Sequence, residues 1–251
     1  TPGSGASGGS RLAHAMNRLS ERSWRTRDFT LNSCRKALLE FVACLPVYRT
    51  YLTEAGISDA DRAVLISAEG RHFCVGGDMN AFVSGGDRGD TLRAMAGRLH
   101  EGMTALDALK IPVITAVNGA AAGAGFSLAV SGDIVIAGEG SSFCMAYTGI
   151  GFTPDGGATH FLPRLIGLRR AQRMAYLNER VDASTALEWG LVSEVVADDA
   201  LLDTAMGVAQ KIAAGPTRAF SRIKRLFDDG ALMPLPALLN AETAAISASA
   251  A

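Results

Sequence analysis

A single aspartate stands in the otherwise uncharged stretch GFTPDGGATHF at residues 151–161. Asp155 follows a proline and precedes two glycines. Pro-Asp-Gly is common turn chemistry, so a solvated turn is one interpretation. The other is a general acid/base held on a rigid loop, which is where catalytic groups are frequently found. The stretch alone leaves both interpretations open.

Two glycine-rich stretches, FCVGGDM at 73–79 and NGAAAGAGFSLA at 118–129, each follow an apolar run. Glycine lets a backbone approach a ligand closely and aim N–H groups at it, so two converging loops could hold an oxyanion. Tight turns alone would also explain them. GAGFSL lacks the third glycine of a dinucleotide fingerprint, and no GxxxxGK[ST] motif is present, which argues against a nucleotide cofactor.

Strand-like and helix-like patterns alternate around these loops. The predicted strands are 62–69, 111–119 and 133–139, and the predicted helices between them are 90–109, capped by Asp90, and 123–132. Farther along, Gly215-Pro216 separates two amphipathic helical patterns, and a weaker one follows. This alternation predicts an α/β fold with a parallel sheet.

The composition excludes several classes of partner. Of the 251 residues, 48% are hydrophobic and 20% charged, and the net charge is -1, so we expect neither nucleic acid nor a membrane as partner. The four cysteines form no CxxC pair, so we expect no metal site and no disulfide framework. A reducing compartment and the lack of a charged start followed by an apolar core predict a cytoplasmic protein.

Taken in order, four motifs resemble the crotonase (enoyl-CoA hydratase/isomerase) superfamily over roughly residues 58–230. They are RHFCVGGDM, IPVITAVNGAAAGAGFSLAVSGDIVIAGEGSSF, GFTPDGGATHFLPRLIGLRRAQRM and ASTALEWGLVSEVV. The resemblance implies a spiral of ββα units with C-terminal helices, assembled as a homotrimer or homohexamer. It predicts a spiral core at 23–200 and a C-terminal helical trimerisation region at 201–251, whereas the flexible segment at 1–22 is predicted from the low-complexity start TPGSGASGGS.

The resemblance also implies an acyl-CoA substrate, with no cofactor beyond the coenzyme A of that thioester. Two backbone N–H groups are expected to hold the thioester oxygen as an enolate forms, and by motif they belong to Gly77 and Ala124. Each preorganised donor contributes very roughly 3 kcal/mol, and backbone alone suffices at both places. The residues expected to bind the substrate or its CoA are Cys74, Gly76, Asp78, Met79, Gly123, Ser127, Tyr147, His160 and Lys224.

Departures from the hydratase pattern narrow the expected reaction. Hydratases of the family use two glutamates, at positions that match Ser127 and Tyr147, and neither residue can act as a carboxylate. In having an acidic residue directly after this proline, the sequence resembles the branch of Δ3,Δ2-enoyl-CoA isomerases and 1,2-epoxyphenylacetyl-CoA isomerase. A double-bond shift moves one proton from C2 to C4 on one face of a dienolate, so one carboxylate suffices. We therefore expect an enoyl-CoA isomerase with Asp155 as the catalytic residue.

Other functions of the superfamily stay open at this point. A hydratase, a hydrolase or a dehalogenase with a nucleophilic aspartate at the same position is an alternative. A crotonase-fold accessory or binding subunit without turnover is another. LNSCRKALL at 31–39 departs from the family loop that holds the adenine of CoA, which favours the accessory subunit. The intact glycine loops and Asp155 favour the enzyme.

Overall fold

A computed structural model describes residues 49–51, 63–77 and 87–250, with only the backbone described for the first of these ranges. The strands are β1 (Arg49–Tyr51), β2 (Val64–Ser67), β3 (Val113–Val117), β4 (Ala120–Ala122), β5 (Ile134–Gly138), β6 (Ser142–Cys144), β7 (Arg180–Asp182) and β8 (Glu194–Val196). The helices are α1 (Arg88–Asp107), α2 (Ala124–Val130), α3 (Ala158–Ile166), α4 (Leu168–Leu177), α5 (Ala183–Trp189), α6 (Leu201–Ala213), α7 (Thr217–Gly230) and α8 (Leu235–Ser249). Short 3-10 turns lie at Thr148–Ile150 and Asp198–Ala200.

The central sheet has five strands in the order β1-β2-β3-β5-β8. Strands β2, β3, β5 and β8 run parallel, and β1 pairs antiparallel with β2. Val64 lies opposite Val113, and Ile114 lies opposite Ile134. The three strands predicted from the apolar runs are therefore confirmed, as is the parallel sheet of an α/β fold.

Both faces of this sheet are buried, as expected of a parallel sheet flanked by helices. On one face Leu65, Ile114 and Ile136 pack against residues of α6 such as Leu201 and Ala205. The alternate side chains of the same strands point into the larger cluster on the other face, together with residues of α1 and α2. Because side chains alternate along a strand, a continuous apolar run fills two cores at once.

A second, three-stranded sheet in the order β4-β6-β7 lies at the glycine-rich loops. Each of its strands is three residues long, which is too short to show a periodicity in the sequence. Strand β4 pairs parallel with β6, and Ala121 also forms an isolated parallel bridge with Cys74. This sheet therefore places the stretch after β2 beside the stretch after β3.

The predicted cap of helix α1 is wrong. The helix begins at Arg88, and Asp87, in an extended conformation, is its N-cap. The Asp87 carboxylate accepts the backbone N–H of Asp90 at 2.9 Å. The aspartates stand three residues apart, so either fits the capping pattern, but the residue before the first helical turn is the one that caps it.

The C-terminal helices α7 and α8 contain no buried residue. They expose large apolar side chains, among them Phe227, Leu235, Leu239 and Ile246. In the described ranges, no helix combines the length and the apolar character that crossing a membrane would require. The segment 1–22 and the adenine-loop stretch 31–39 lie outside the described residues, and the predicted domain boundaries stay predictions.

Candidate active site

The two glycine-rich loops lie against each other in the structure. The Cys74 N–H donates to the Ala120 carbonyl at 3.1 Å, and the Ala122 N–H donates to the Cys74 carbonyl at 2.8 Å. Gly76 and Gly123 have φ angles of +107° and +56°, a region that favours glycine. A Cβ added to Gly123 would lie 3.5 Å from the Gly76 Cα, so the two backbones are in contact.

Helix α2 begins directly behind this contact. A Cβ added to Gly125 would lie 2.3 Å from both the Cβ and the carbonyl oxygen of Cys74, so only glycine fits there. Ala124 is the first residue of the helix, and the first N–H groups of a helix have no carbonyl partner within it. Its nitrogen would lie 3.9 Å from a Cβ added to Gly76, the residue before Gly77. The predicted oxyanion donors Gly77 and Ala124 are therefore neighbours, and their role stays a prediction.

The turn that carries Asp155 is held by contacts to the neighbouring helices. The carbonyl oxygen of Asp155 accepts the hydroxyl proton of Ser127 on α2 at 2.8 Å and the N–H of Ala158 on α3 at 3.2 Å. Gly156 is buried with φ of +61°, and a Cβ there would lie 3.0 Å from the side chains of Leu99 and Ser127. Ser127 lies one helical turn after Ala124 in α2, so the segment that carries Asp155 packs beside the start of that helix. A freely solvated turn does not describe this arrangement.

The carboxylate of Asp155 is partly buried, with 30% of its side chain exposed. The Tyr147 hydroxyl donates to Asp155 Oδ1 at 2.6 Å. Burial of the phenol, followed by the nearby charge of Asp155, raises the pKa of Tyr147 above its ordinary value of 10.0. Tyr147 is therefore a neutral donor at physiological pH. The Ser127 oxygen lies 3.3 Å from the Tyr147 oxygen, but its proton is already directed to the Asp155 carbonyl.

His100 on α1 belongs to the site, although nothing in the sequence singled it out. Its Nε2 accepts the Gly156 N–H at 3.2 Å and lies 4.0 Å from Asp155 Oδ2. A separation of 4.0 Å is too long for a hydrogen bond. A lone histidine in a helical pattern carries no local signal, and it lies 55 positions before Asp155 in the chain.

A groove of about 420 Å³ opens between α1 and α3 beside the Asp155 turn. Its lining residues are His100, Met103, Thr104, Asp107, Gly156, Gly157, His160 and Phe161. His160 lines this groove, and the Tyr147 hydroxyl donates its proton to Asp155. The groove is thus a candidate path for part of the substrate, and the turn that carries Asp155 lies beside it.

The other predicted binding residues differ in their surroundings. Cys74 is buried, and its Sγ accepts the Gly76 N–H at 3.4 Å. Lys224 Nζ lies 2.7 Å from Asp133 Oδ2, and its side chain is 13% exposed, so within this chain its ammonium group is used in an ion pair. Asp78 and Met79 lie outside the described residues. In the ranges 63–77 and 87–250, no three acidic, histidine or cysteine side chains are grouped as a metal site would need.

Comparison with known families places the chain in one of them. The family model for enoyl-CoA hydratase/isomerase matches residues 51–250. The chain belongs to the enoyl-CoA hydratase/isomerase family, and the family resemblance predicted from the motifs is confirmed.

Individual relatives agree with this assignment. The 1,2-epoxyphenylacetyl-CoA isomerase of Escherichia coli is 39% identical over 186 residues, which cover 73% of this chain and 71% of that protein. A crystal structure of a family member from Mycobacterium abscessus matches with a TM-score of 0.76 and 37% identity, over 94% of this chain and 85% of the other. An enoyl-CoA hydratase from Bacillus anthracis matches with a TM-score of 0.71 and 32% identity, over 77% and 73% of the two chains.

The structural neighbours confirm the crotonase fold. Both an isomerase and a hydratase are among the similar proteins, so the comparisons support acyl-CoA hydratase/isomerase activity in general. Which of the two reactions this chain performs is a question for its own site.

Proposed function

We propose that the protein is an enoyl-CoA isomerase in which Asp155 moves the proton. One observation carries this proposal: the two positions expected to hold hydratase glutamates bear hydroxyls, and both hydroxyls bind Asp155. Tyr147 donates to the carboxylate, and Ser127 donates to the backbone carbonyl. The site thus presents one carboxylate with two groups that orient it.

The proposed reaction needs only that carboxylate and two backbone donors. Asp155 removes a proton from C2 of a 3-enoyl-CoA, and the negative charge moves to the thioester oxygen, where the Gly77 and Ala124 N–H groups stabilise it. The resulting dienolate then takes the same proton from Asp155 at C4. The double bond has moved from C3 to C2, and the carboxylate has returned to its starting state.

Hydration of a 2-enoyl-CoA makes a different demand, because a water molecule must be positioned and a second proton delivered. The Ser127 proton is directed to the Asp155 carbonyl, and the raised pKa of Tyr147 keeps the phenol from acting as a base. The supporting groups of this site therefore suit a single proton transfer better than the addition of water.

The remaining expectations become part of the same proposal. The exposed apolar side chains on α7 and α8 support packing between copies of this chain, as a homotrimer or homohexamer. The substrate supplies coenzyme A, and no further cofactor takes part. Lys224 is retained as a candidate contact for the phosphates of CoA in an assembly.

The test supplies the wild-type protein with a 3-enoyl-CoA and, separately, with the matching 2-enoyl-CoA. We expect the first to be converted to the conjugated 2-enoyl thioester, and the second to form little 3-hydroxyacyl-CoA on the same timescale. Rapid hydration without isomerisation would reject the proposal in favour of a hydratase. An absence of turnover, with no stabilisation of the fold by CoA esters, would favour the accessory-subunit alternative.

A further inference from the structure

His100 contacts the Asp155 turn, yet the proposed proton transfer gives it no role. Its Nε2 accepts the N–H of Gly156, the peptide group that directly follows Asp155. Gly156 is buried, and a buried backbone N–H requires an acceptor. The imidazole supplies that acceptor from a different element of the fold, helix α1, and so fixes the orientation of the peptide next to the carboxylate.

This hydrogen bond sets a condition on the ring. A nitrogen that accepts carries no proton, so the contact requires a neutral His100 with its hydrogen on Nδ1. A proton on Nε2 would face the Gly156 N–H donor to donor. Asp155 Oδ2 lies 4.0 Å from the same nitrogen and would accept that proton after a small movement of the ring. The two partners of Nε2 are therefore mutually exclusive.

We propose that His100 is a positioning residue for Asp155, an inference that rests on the proposed isomerase function. Neutral His100 holds the Gly156 peptide and thereby the direction of the carboxylate. Protonated His100 releases the peptide and pairs with the carboxylate, which withdraws the base from the substrate. Acidification thus inhibits the enzyme through His100 as well as through protonation of Asp155 itself.

The charged and titratable surroundings of the ring come from several elements. Asp155 lies on the turn, and Tyr147 binds its other carboxylate oxygen. Asp107 on α1 and His160 on α3 line the same groove as His100. The His100 side chain is 53% exposed, so solvent protons reach it directly. Among the described residues, these are the groups whose own titration has to be separated from that of His100.

Two substitutions separate the role as acceptor from the role as titrating group. His100→Gln keeps an acceptor oxygen for the Gly156 N–H but has no titrating group, whereas His100→Leu has neither an acceptor nor a titrating group. We expect His100→Leu to lower kcat by on the order of tenfold to a hundredfold with little change in KM, because the base is misplaced. We expect His100→Gln to keep kcat at neutral pH within about threefold. We also expect it to shift the acid limb, which is the fall of kcat on the acid side of its pH profile, to lower pH.

His72 provides a matched control for the pH measurement. Its Nδ1 accepts the backbone N–H of Ala120 at the same distance of 3.2 Å, at the corner between β2 and the first glycine-rich loop. His72→Gln is expected to leave the acid limb where it is in the wild type. If His100→Gln and His100→Leu lower kcat equally, or if His72→Gln moves the limb as far as His100→Gln does, the proposal is overturned.

A readout that needs no turnover distinguishes failure of this inference from failure of the isomerase function. Nitrogen NMR of the imidazole in the full chain reports which ring nitrogen carries the hydrogen. A hydrogen on Nδ1 of His100, with Nε2 unprotonated, supports the positioning contact even if no 3-enoyl-CoA is converted. A neutral ring with its hydrogen on Nε2 overturns it even if isomerisation is fast.

Discussion

The oxyanion side and the carboxylate side of the candidate site are held in place by different kinds of contact. On the oxyanion side, backbone hydrogen bonds between Cys74 and β4 join the two loops, and the first turn of α2 packs on Cys74 through Gly125. No functional side chain is needed there, only small residues. The oxyanion side therefore depends on small side chains, which let the two backbones come into contact.

On the carboxylate side, three side chains from separate parts of the chain meet at one turn. Tyr147 binds the Asp155 carboxylate, Ser127 binds its carbonyl, and His100 binds the following peptide. Substitutions on the first side should therefore act through steric overlap, and those on the second through lost hydrogen bonds.

Gly125→Ala should cause the largest loss, because its Cβ would lie 2.3 Å from the backbone oxygen and the Cβ of Cys74. Overpacking a core typically costs about 1–3 kcal/mol, and here it also displaces the predicted donor at Ala124. We expect both Tm and kcat to fall. The control is Gly97→Ala on α1, where an added Cβ meets nothing within 4 Å and Ala should be neutral or stabilising. Equal behaviour of the two variants would contradict the close packing.

Tyr147→Phe removes the hydrogen bond to Asp155 Oδ1 and keeps the ring. A hydrogen bond to a charged group is worth about 1.5–3 kcal/mol, so kcat should fall by on the order of tenfold to a hundredfold. Steady-state kinetics with a 3-enoyl-CoA as substrate measures this change in kcat. The comparison variant is Tyr176→Phe, which should retain wild-type rates because Tyr176 is 74% exposed. An unchanged kcat in Tyr147→Phe would show that the carboxylate does not need this donor.

Ser127→Ala should have a smaller effect on rate, since the Asp155 carbonyl keeps its bond from the Ala158 N–H. The free energy of unfolding should fall by about 1 kcal/mol, the usual net value of one such hydrogen bond. Urea denaturation of both proteins measures it. Gain of hydratase activity in this variant would contradict the view that the hydroxyl only supports the turn.

The smallest predicted effect is a dependence of stability on alkaline pH. Because the pKa of Tyr147 is raised in the folded protein, the native state holds its proton where the unfolded chain has lost it. The stabilisation is complete below about pH 10 and is lost as the pH rises through the folded-state pKa. The wild type should therefore lose stability faster than Tyr147→Phe above that pH. If the free energy of unfolding of the two proteins falls equally with rising pH in this range, the burial of this phenol is contradicted.

The two sides also differ in how far the sequence could predict them. The parallel strands and the glycine-rich loops were predictable, because apolar runs and glycines carry local signals. The three-residue strands β4, β6 and β7 were not, since no period can be seen in so few residues. Asp155 was singled out by its neighbours along the chain. His100 was not, because its contact with Gly156 arises only when α1 packs against the turn.

The central claim is that Asp155 is the one carboxylate that moves the proton, and Asp155→Asn tests it most directly. Isomerisation of a 3-enoyl-CoA by this variant should fall by about 10²–10⁴-fold, while binding of the CoA ester, measured by thermal stabilisation, is retained. The matched control Asp203→Asn, at an exposed position on α6, should keep wild-type activity. An Asp155→Asn variant that turns over as fast as the wild type would contradict the account.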